Sequence, residues 1–503
     1  LLGRAAGAPA EAEPNAFRLT VRGESIFIAG RDDPGEPLRD DVSAGTLFGV
    51  YELLERVLGV RWLWPGELGT HVPAAANLVV PELDLVLAPA LRHTRLRFGG
   101  LMSAEAGWSN PAAREKFIHD QLVWLRRHRL ARGISLEYGH GFETWYERHA
   151  ATHPEYFNLL PDGTRRSDPM YHGGEDRLIS LSVAEPGVVT ERIKEWSQQR
   201  TAQRPWVNGA ENDTCGKCVC ELCLAWDGEP ATPAALARAK AAFAAGEPDW
   251  WKELGSVSDR YARFWMALQA EAQKTDPGAT VLGYAYANYH EPPLRTRLNE
   301  RIVVAIVPRL MYPWTAAKRE AFRTQWAGWS AAGARLYLRP NYTLDGHAFP
   351  IWYADQLAED FNFVHANGLI ATDFDSLTSS FGAQGPTLYT LARLQQHPDW
   401  PAERILAEWY GAFGPAEAAV RAYGDLWRRV SAQVDDQTLK AVLQRTPDGG
   451  SWGRFYLIAD GIFTPAVMAE AERLLAAARQ AAGAQPTALR RVEFLEQGLR
   501  QAA

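Results

Sequence analysis

All four cysteines of this chain fall within nine positions, at Cys215, Cys218, Cys220 and Cys223. The spacing Cys-x2-Cys-x-Cys-x2-Cys contains two knuckles of the kind that grip Zn2+ tetrahedrally. Four thiolates would leave no open position for water, so such an ion is structural, and no cofactor for catalysis is expected. The alternative is disulfide pairing in an exported protein, Cys215 with Cys220 or Cys223. Zinc is favoured because every thiol is local and none remains to join distant segments. Directly before the cluster stand Glu211, Asn212 and Asp213. A second acid pair, Asp373 and Asp375, brackets Phe374 far along the chain.

Paired carboxylates are what cleavage of a glycosidic bond requires. One acid protonates the leaving oxygen, and the other attacks or stabilises the developing oxocarbenium centre. Glu211 or Asp213 opposite Asp373 or Asp375 would supply the pair. Acids also cap helices and pair with arginines at loop starts, so the convergence of several strand ends weighs more than any one residue. His140, between Gly139 and Gly141, is the histidine most open to a ligand. Further polar and aromatic groups follow predicted strands: Tyr286, Asn288 and Glu291, then Arg309, then Tyr342. No Ser-His-Asp arrangement and no His-x3-His zinc pair stands out.

The elements that must position these groups read as strand, loop and helix in repetition. Strands are predicted over 94–98, 133–137, 178–182, 206–209, 280–287, 302–307, 335–339 and 369–373, with helical spacing over 112–128, 188–199, 258–274 and 316–331. Eight such strands within residues 91–385 predict a (β/α)8 TIM-like barrel, whose chemistry belongs at the carboxyl ends of its strands. An open doubly wound sheet is the runner-up; it would want a glycine-rich phosphate turn, and Phe98-Gly99-Gly100 is a poor one. Residues 1–90 read as a small α+β domain. It has a hairpin turning at Arg22-Gly23-Glu24, a helix opened by Ser43 with Gly59 past its end, and extended segments over 78–80 and 83–87. Residues 386–503 read as a helical region.

At 503 residues, with 47% hydrophobic content, the chain is expected to hold two or three domains with a substantial core. A net charge of −7 argues against a nucleic-acid partner, which would need a basic face. No apolar run approaches the length of a membrane span. The chain shows no signal peptide and reads as starting partway into a domain, with a secreted or periplasmic location expected. Nineteen tryptophans suit the apolar faces of sugar rings, although a large core uses tryptophan too.

Residues 44–55 with Gly59-Val60-Arg61-Trp62-Leu63 and Pro65-Gly66-Glu67 resemble the small domain that precedes the barrel in bacterial α-glucuronidases and hexosaminidase-like enzymes. Gly139-His140, the run from His153 to Phe157, Gly163, Arg165, Asn212-Asp213 and Cys218-x-Cys220-x2-Cys223 resemble the barrel of a bacterial glycoside hydrolase family formerly labelled a domain of unknown function. That family includes endo-β-N-acetylglucosaminidases acting on complex N-glycans. Cys215 is extra to its three-cysteine pattern, and the small domain begins late. The resemblance implies a hydrolase of β-linked glycans, retaining through two carboxylates or through the substrate's own 2-acetamido group. In the hydrolase reading Glu211 is the general acid with Asp373 and Asp375 assisting or stabilising, Tyr286, Asn288, Tyr342 and Trp108 line sugar subsites, and His140 and Arg309 hold hydroxyls or a carboxylate. An α-glucuronidase-like exo-enzyme and a non-catalytic carbohydrate-binding barrel are the alternatives.

Overall fold

A computed structural model of the chain describes residues 13–98, 110–136, 139–171, 175, 178–202, 204–214, 217–310, 312–342, 348–435, 437 and 459–502. The first strands, β1 (Phe17–Arg22) and β2 (Ser25–Gly30), form a hairpin with Arg22 opposite Ser25. Gly23 takes a φ of 55° at the first turn position, where a two-residue hairpin turn favours glycine. A short antiparallel pair follows, β3 (Arg61–Trp62) with β4 (Thr70–His71); β5 (Leu83–Leu87) then joins the open side of β1. The helix Gly45–Arg56 packs on β1 and β2. Ser43 does not cap it: its hydroxyl accepts from the Asn15 N–H and donates to the Arg31 carbonyl, fastening the preceding loop instead. Residues 78–80 form no strand.

The larger sheet has six parallel strands: β6 (His93–Phe98), β7 (Val207–Asn208), β8 (Val281–Ala285), β9 (Ile302–Ile306), β10 (Arg335–Leu338) and β11 (Leu369–Leu377). Their order is β6-β11-β10-β9-β8-β7. Every residue of β8 and β9 is buried, as expected of parallel strands covered on both faces. The architecture is therefore mixed α/β: a curled parallel half-barrel with a helical C-terminal region.

Among the described residues, six of the eight strands expected for a full barrel stand in this sheet; 133–136 and 178–182 do not join it. Just before the first, Arg132 makes an isolated bridge with His93, and within the second Leu181 makes another with Phe157. The physical reason is that side chains, together with the backbone of Arg92 and of residues 156–158, occupy the places of ladder partners. The Leu136 N–H donates to the His93 ring, the Leu181 N–H donates to Glu211, and the Asn212 amide donates to the Ile179 carbonyl. A backbone satisfied in these ways has no need of a neighbouring strand of the sheet.

Helices back the sheet. On Gly283 of β8 a Cβ would stand 2.2 Å from the Trp265 ring, so the missing side chain lets the helix Ser258–Ala272 lie against the strand. The Trp265 indole N–H donates to the Gly209 carbonyl at 3.0 Å, fixing the residues that lead into Glu211. Seven tryptophans, Trp124, Trp145, Trp250, Trp265, Trp326, Trp329 and Trp409, are less than 2% exposed. They serve the core, where truncating one costs about 3–5 kcal/mol. Beyond β11 run the helices Phe381–Gln396, Ala402–Gly411, Glu417–Ala432, Pro465–Ala482 and Pro486–Ala502. A buried ion network ties this region to the first helix: Glu55 sits between Arg129 and Arg393. Burial would raise its carboxyl, but the two guanidinium groups prevail and hold it at about 2. Among the described residues no helix is long and apolar enough to cross a membrane.

Candidate active site at the carboxyl ends of the parallel strands

Strand register places Arg95 beside Asp373, Ala371 beside Tyr337, Tyr337 beside Ala305 and Ala305 beside Tyr284. Alternation then puts Arg95, Arg97, Asp373, Asp375, Tyr337 and Tyr284 on one face of the sheet. Two acid-x-acid segments flank the run β10-β9-β8 of the sheet, Glu211-Asn212-Asp213 after the edge strand β7 and Asp373-Phe374-Asp375 within β11. In each, the first acid is 1% exposed and the second is half-buried.

Glu211 is held by three donors: the Asn212 N–H at 2.8 Å, the Tyr261 hydroxyl at 2.8 Å and the Leu181 N–H at 3.1 Å. No cation faces it among these contacts. Burial pushes its carboxyl up to about 7, against the pull of those donors. Asn212 is also wholly inside, its amide bonded to Phe142 and Ile179. Asp213 turns outward and accepts from the Tyr286 hydroxyl at 3.0 Å and the Tyr171 hydroxyl at 3.5 Å. His140 reaches the same corner, with its ring nitrogen 2.6 Å from the Glu211 carbonyl and its ring edge-on to Tyr284.

Asp373 has a different environment. Burial would raise its carboxyl, but the Arg97 guanidinium grips both oxygens, at 2.7 and 2.5 Å, and holds it below its ordinary value. Asp375 accepts from Arg339 at 2.8 Å, and that guanidinium also lies 5.4 Å from the Tyr284 ring centroid. Tyr284 thus lies between the two corners, touching His140 on one side and Arg339 on the other.

The remaining candidates are distributed less evenly. Asn288 follows Ala287, which carries a strained φ of 46°. It is 6% exposed, and neither amide atom has a partner among the described residues. Arg309 donates to the Ala287 carbonyl. Glu291 is exposed and pairs with His290, apart from the two acid pairs. Tyr342 is 4% exposed among Trp314, Tyr353 and Phe374, so it belongs to the packing beneath β11 rather than to a sugar-lining surface. Trp108 and Cys215 lie outside the described residues. Cys218, Cys220 and Cys223 form no disulfide with one another, and their sulfur atoms lie within 4.8 Å of each other. Behind them is a fully buried bidentate pair, Arg260 with Asp227, at 2.9 and 2.8 Å.

Arg97, Arg339, Tyr171, Tyr261 and Tyr284 were not singled out from sequence. The alternation His-Thr-Arg-Leu-Arg-Phe in β6 carried a usable signal, since an arginine on the inner face of a buried strand demands an anion. For Tyr261, inside a helix with ordinary amphipathic spacing, no such signal exists.

The overall architecture has counterparts of low similarity. The family 89 glycoside hydrolase of Clostridium perfringens, solved with its substrate GlcNAc-α-1,4-galactose, superposes with a TM-score of 0.43 at 10% identity over 92% of this chain. This chain spans 56% of that protein's length. The Flavobacterium johnsoniae chitobiase superposes with a TM-score of 0.38 at 11% identity, covering 98% of this chain and 80% of its own. No curated protein matches the sequence. The sequence profile described as a domain of unknown function, DUF4838, matches residues 64–425, and the chain belongs to that family.

Proposed function

We propose that this protein is a glycoside hydrolase whose working carboxylates are Asp213 and Asp375. One observation carries the reading: two strand-end segments each place a half-buried acid in front of a buried one, on either side of Tyr284. Asp213, beneath the hydroxyls of Tyr286 and Tyr171, and Asp375, beside Arg339, offer oxygens to a ligand. One acid protonates the leaving oxygen and the other attacks or stabilises the oxocarbenium-like centre. Glu211 and Asp373 act behind them as positioning residues. The unpartnered Asn288 amide is suited to a sugar hydroxyl or an acetamide. The sequence resemblance supports a β-linked, N-acetylglucosamine-containing glycan as substrate. With such a sugar, Asp213 and Tyr286 would orient the 2-acetamido group for attack on its own anomeric carbon.

A second reading has one observation in its favour: the Glu211 carboxyl at about 7 has the protonation behaviour of a general acid at neutral pH. Assays on aryl β-N-acetylglucosaminides and on complex N-glycans separate the two. The expected result is release of sugar by the parent chain and a loss of about 100-fold or more in kcat for both Asp213→Asn and Asp375→Asn. Full turnover in Asp213→Asn with none in a folded Glu211→Gln moves the acid to Glu211. Glycan binding without any turnover by the parent chain removes the hydrolase reading in favour of recognition alone.

A further inference from the structure

We propose that Cys218, Cys220 and Cys223 hold a structural Zn2+ ion that staples the open side of the half-barrel. Their three sulfur atoms converge within 4.8 Å of one another, and no disulfide joins them. Cys218 and Cys223 are 0% exposed, and the spacing Cys-x-Cys-x2-Cys wraps one short turn leading into the helix Glu221–Ala225. Thiols packed this closely, with no bond between them, are a donor set that suits a borderline-soft tetrahedral cation.

The surroundings of Cys218 add a separate indication. Its sulfur accepts from the Leu159 N–H at 3.2 Å and the Cys220 N–H at 3.4 Å, and the Ser182 hydroxyl stands at 3.2 Å. Donors converging on one sulfur are the outer shell that orients and stabilises a metal-bound thiolate. On binding, each thiol releases its proton to solvent and gives a lone pair to zinc, with no change of oxidation state. With Cys218 and Cys223 buried and Cys220 half-buried, the three sulfurs give the ion a structural task.

That task follows from what the cluster touches. The Leu159 carbonyl accepts from the Val219 N–H, Ser182 follows the Leu181 that holds Glu211, and Thr214 bonds Ser180 at 2.7 Å. The cluster sits where residues 178–182 fail to join the sheet. A metal here would supply the cross-link that two missing ladder strands do not.

The test is elemental analysis of the full chain, purified without chelator, beside a thiol count in denaturant. The expected result is about one zinc per chain. Removal by a chelator should lower the unfolding temperature by about 5 °C or more, with recovery on adding Zn2+ alone. Cobalt substitution should add a thiolate-to-cobalt charge-transfer band. Cys223→Ser should retain less than about a tenth of the zinc. Because a misfolded variant would lose metal too, the parent chain carries the decisive measurement. All thiols titrating free with no bound metal overturns the proposal. So does a thiol count restored only by reductant, which would show a disulfide.

Discussion

The two acid-x-acid corners share a layout and differ in what surrounds the inner acid. Asp373 is buried against a cation: Arg97 takes both of its oxygens, and the carboxyl stays ionised. Glu211 is buried against two N–H groups and a phenol, and its carboxyl rises to about 7. Uncharged donors offset part of the cost of burying a charge, whereas a bidentate guanidinium offsets most of it. The same depth therefore yields a fixed charge at one corner and a titrating group at the other.

Asp373→Asn should be the most damaging single change at either corner. It removes the carboxylate that the Arg97 guanidinium grips through both oxygens, and breaking a buried pair from one side costs about 3–5 kcal/mol. Urea unfolding measures this; a loss below about 1 kcal/mol would mean that Arg97 finds another partner and that the corner is not built on this pair.

The pH dependence of the two corners should run in opposite directions. Glu211 has a folded value of about 7 against 4.5 for the exposed group, so between those values the native chain keeps a proton that the unfolded chain has released. Its contribution to stability is full below about 4.5 and is lost as pH rises to about 7, a change of about 3 kcal/mol. Asp373 has a folded value below 3.8, so its contribution is present at neutral pH and is lost only as pH falls through the folded value. Glu211→Gln should therefore be less stable than the parent at pH 5, by about 1–3 kcal/mol, because its amide N–H faces another donor. That deficit should shrink or reverse by pH 8. A deficit that stays flat from pH 5 to 8 would sink the titrating assignment.

Much of this contrast was beyond the reach of the sequence, for identifiable reasons. The strands of the sheet were legible where continuous apolar runs such as Val281–Ala285 and Ile302–Ile306 require burial on both faces. The segment 178–182 alternates like a strand yet pairs with residues 156–158 and with side chains instead of the sheet, because Glu211 and Asn212 reach its backbone from 30 and 33 residues away. Local pattern cannot report a partner at that distance. The acids were legible as acids, and their roles were not. Which member of Glu211 and Asp213 lies inside depends on Tyr261 and Leu181, and the charge of Asp373 depends on an arginine 276 residues earlier in the chain. Tyr342 was misleading for a similar reason: an aromatic residue after a strand can face a ligand or the core, and Trp314 and Tyr353 draw it into the core.

The smallest expected effects come from two tyrosines that test inner against outer acid directly. Tyr261 and Tyr286 each donate a phenolic hydrogen bond to a carboxylate of the same segment, at 2.8 Å to Glu211 and at 3.0 Å to Asp213. Tyr261 is 0% exposed, so Tyr261→Phe removes a donor from a closed pocket and should cost about 1–2 kcal/mol of stability. Tyr286 and Asp213 are only half-buried, and water can replace the lost hydroxyl in the free protein. Tyr286→Phe should therefore leave unfolding within about 0.5 kcal/mol of the parent. Its effect should appear in kcat, as a loss of about tenfold, because orienting Asp213 matters once substrate has displaced that water. Equal stability losses in the two variants, with unchanged kcat in Tyr286→Phe, would make both segments scaffolding and remove the division between an inner, supporting acid and an outer, working one.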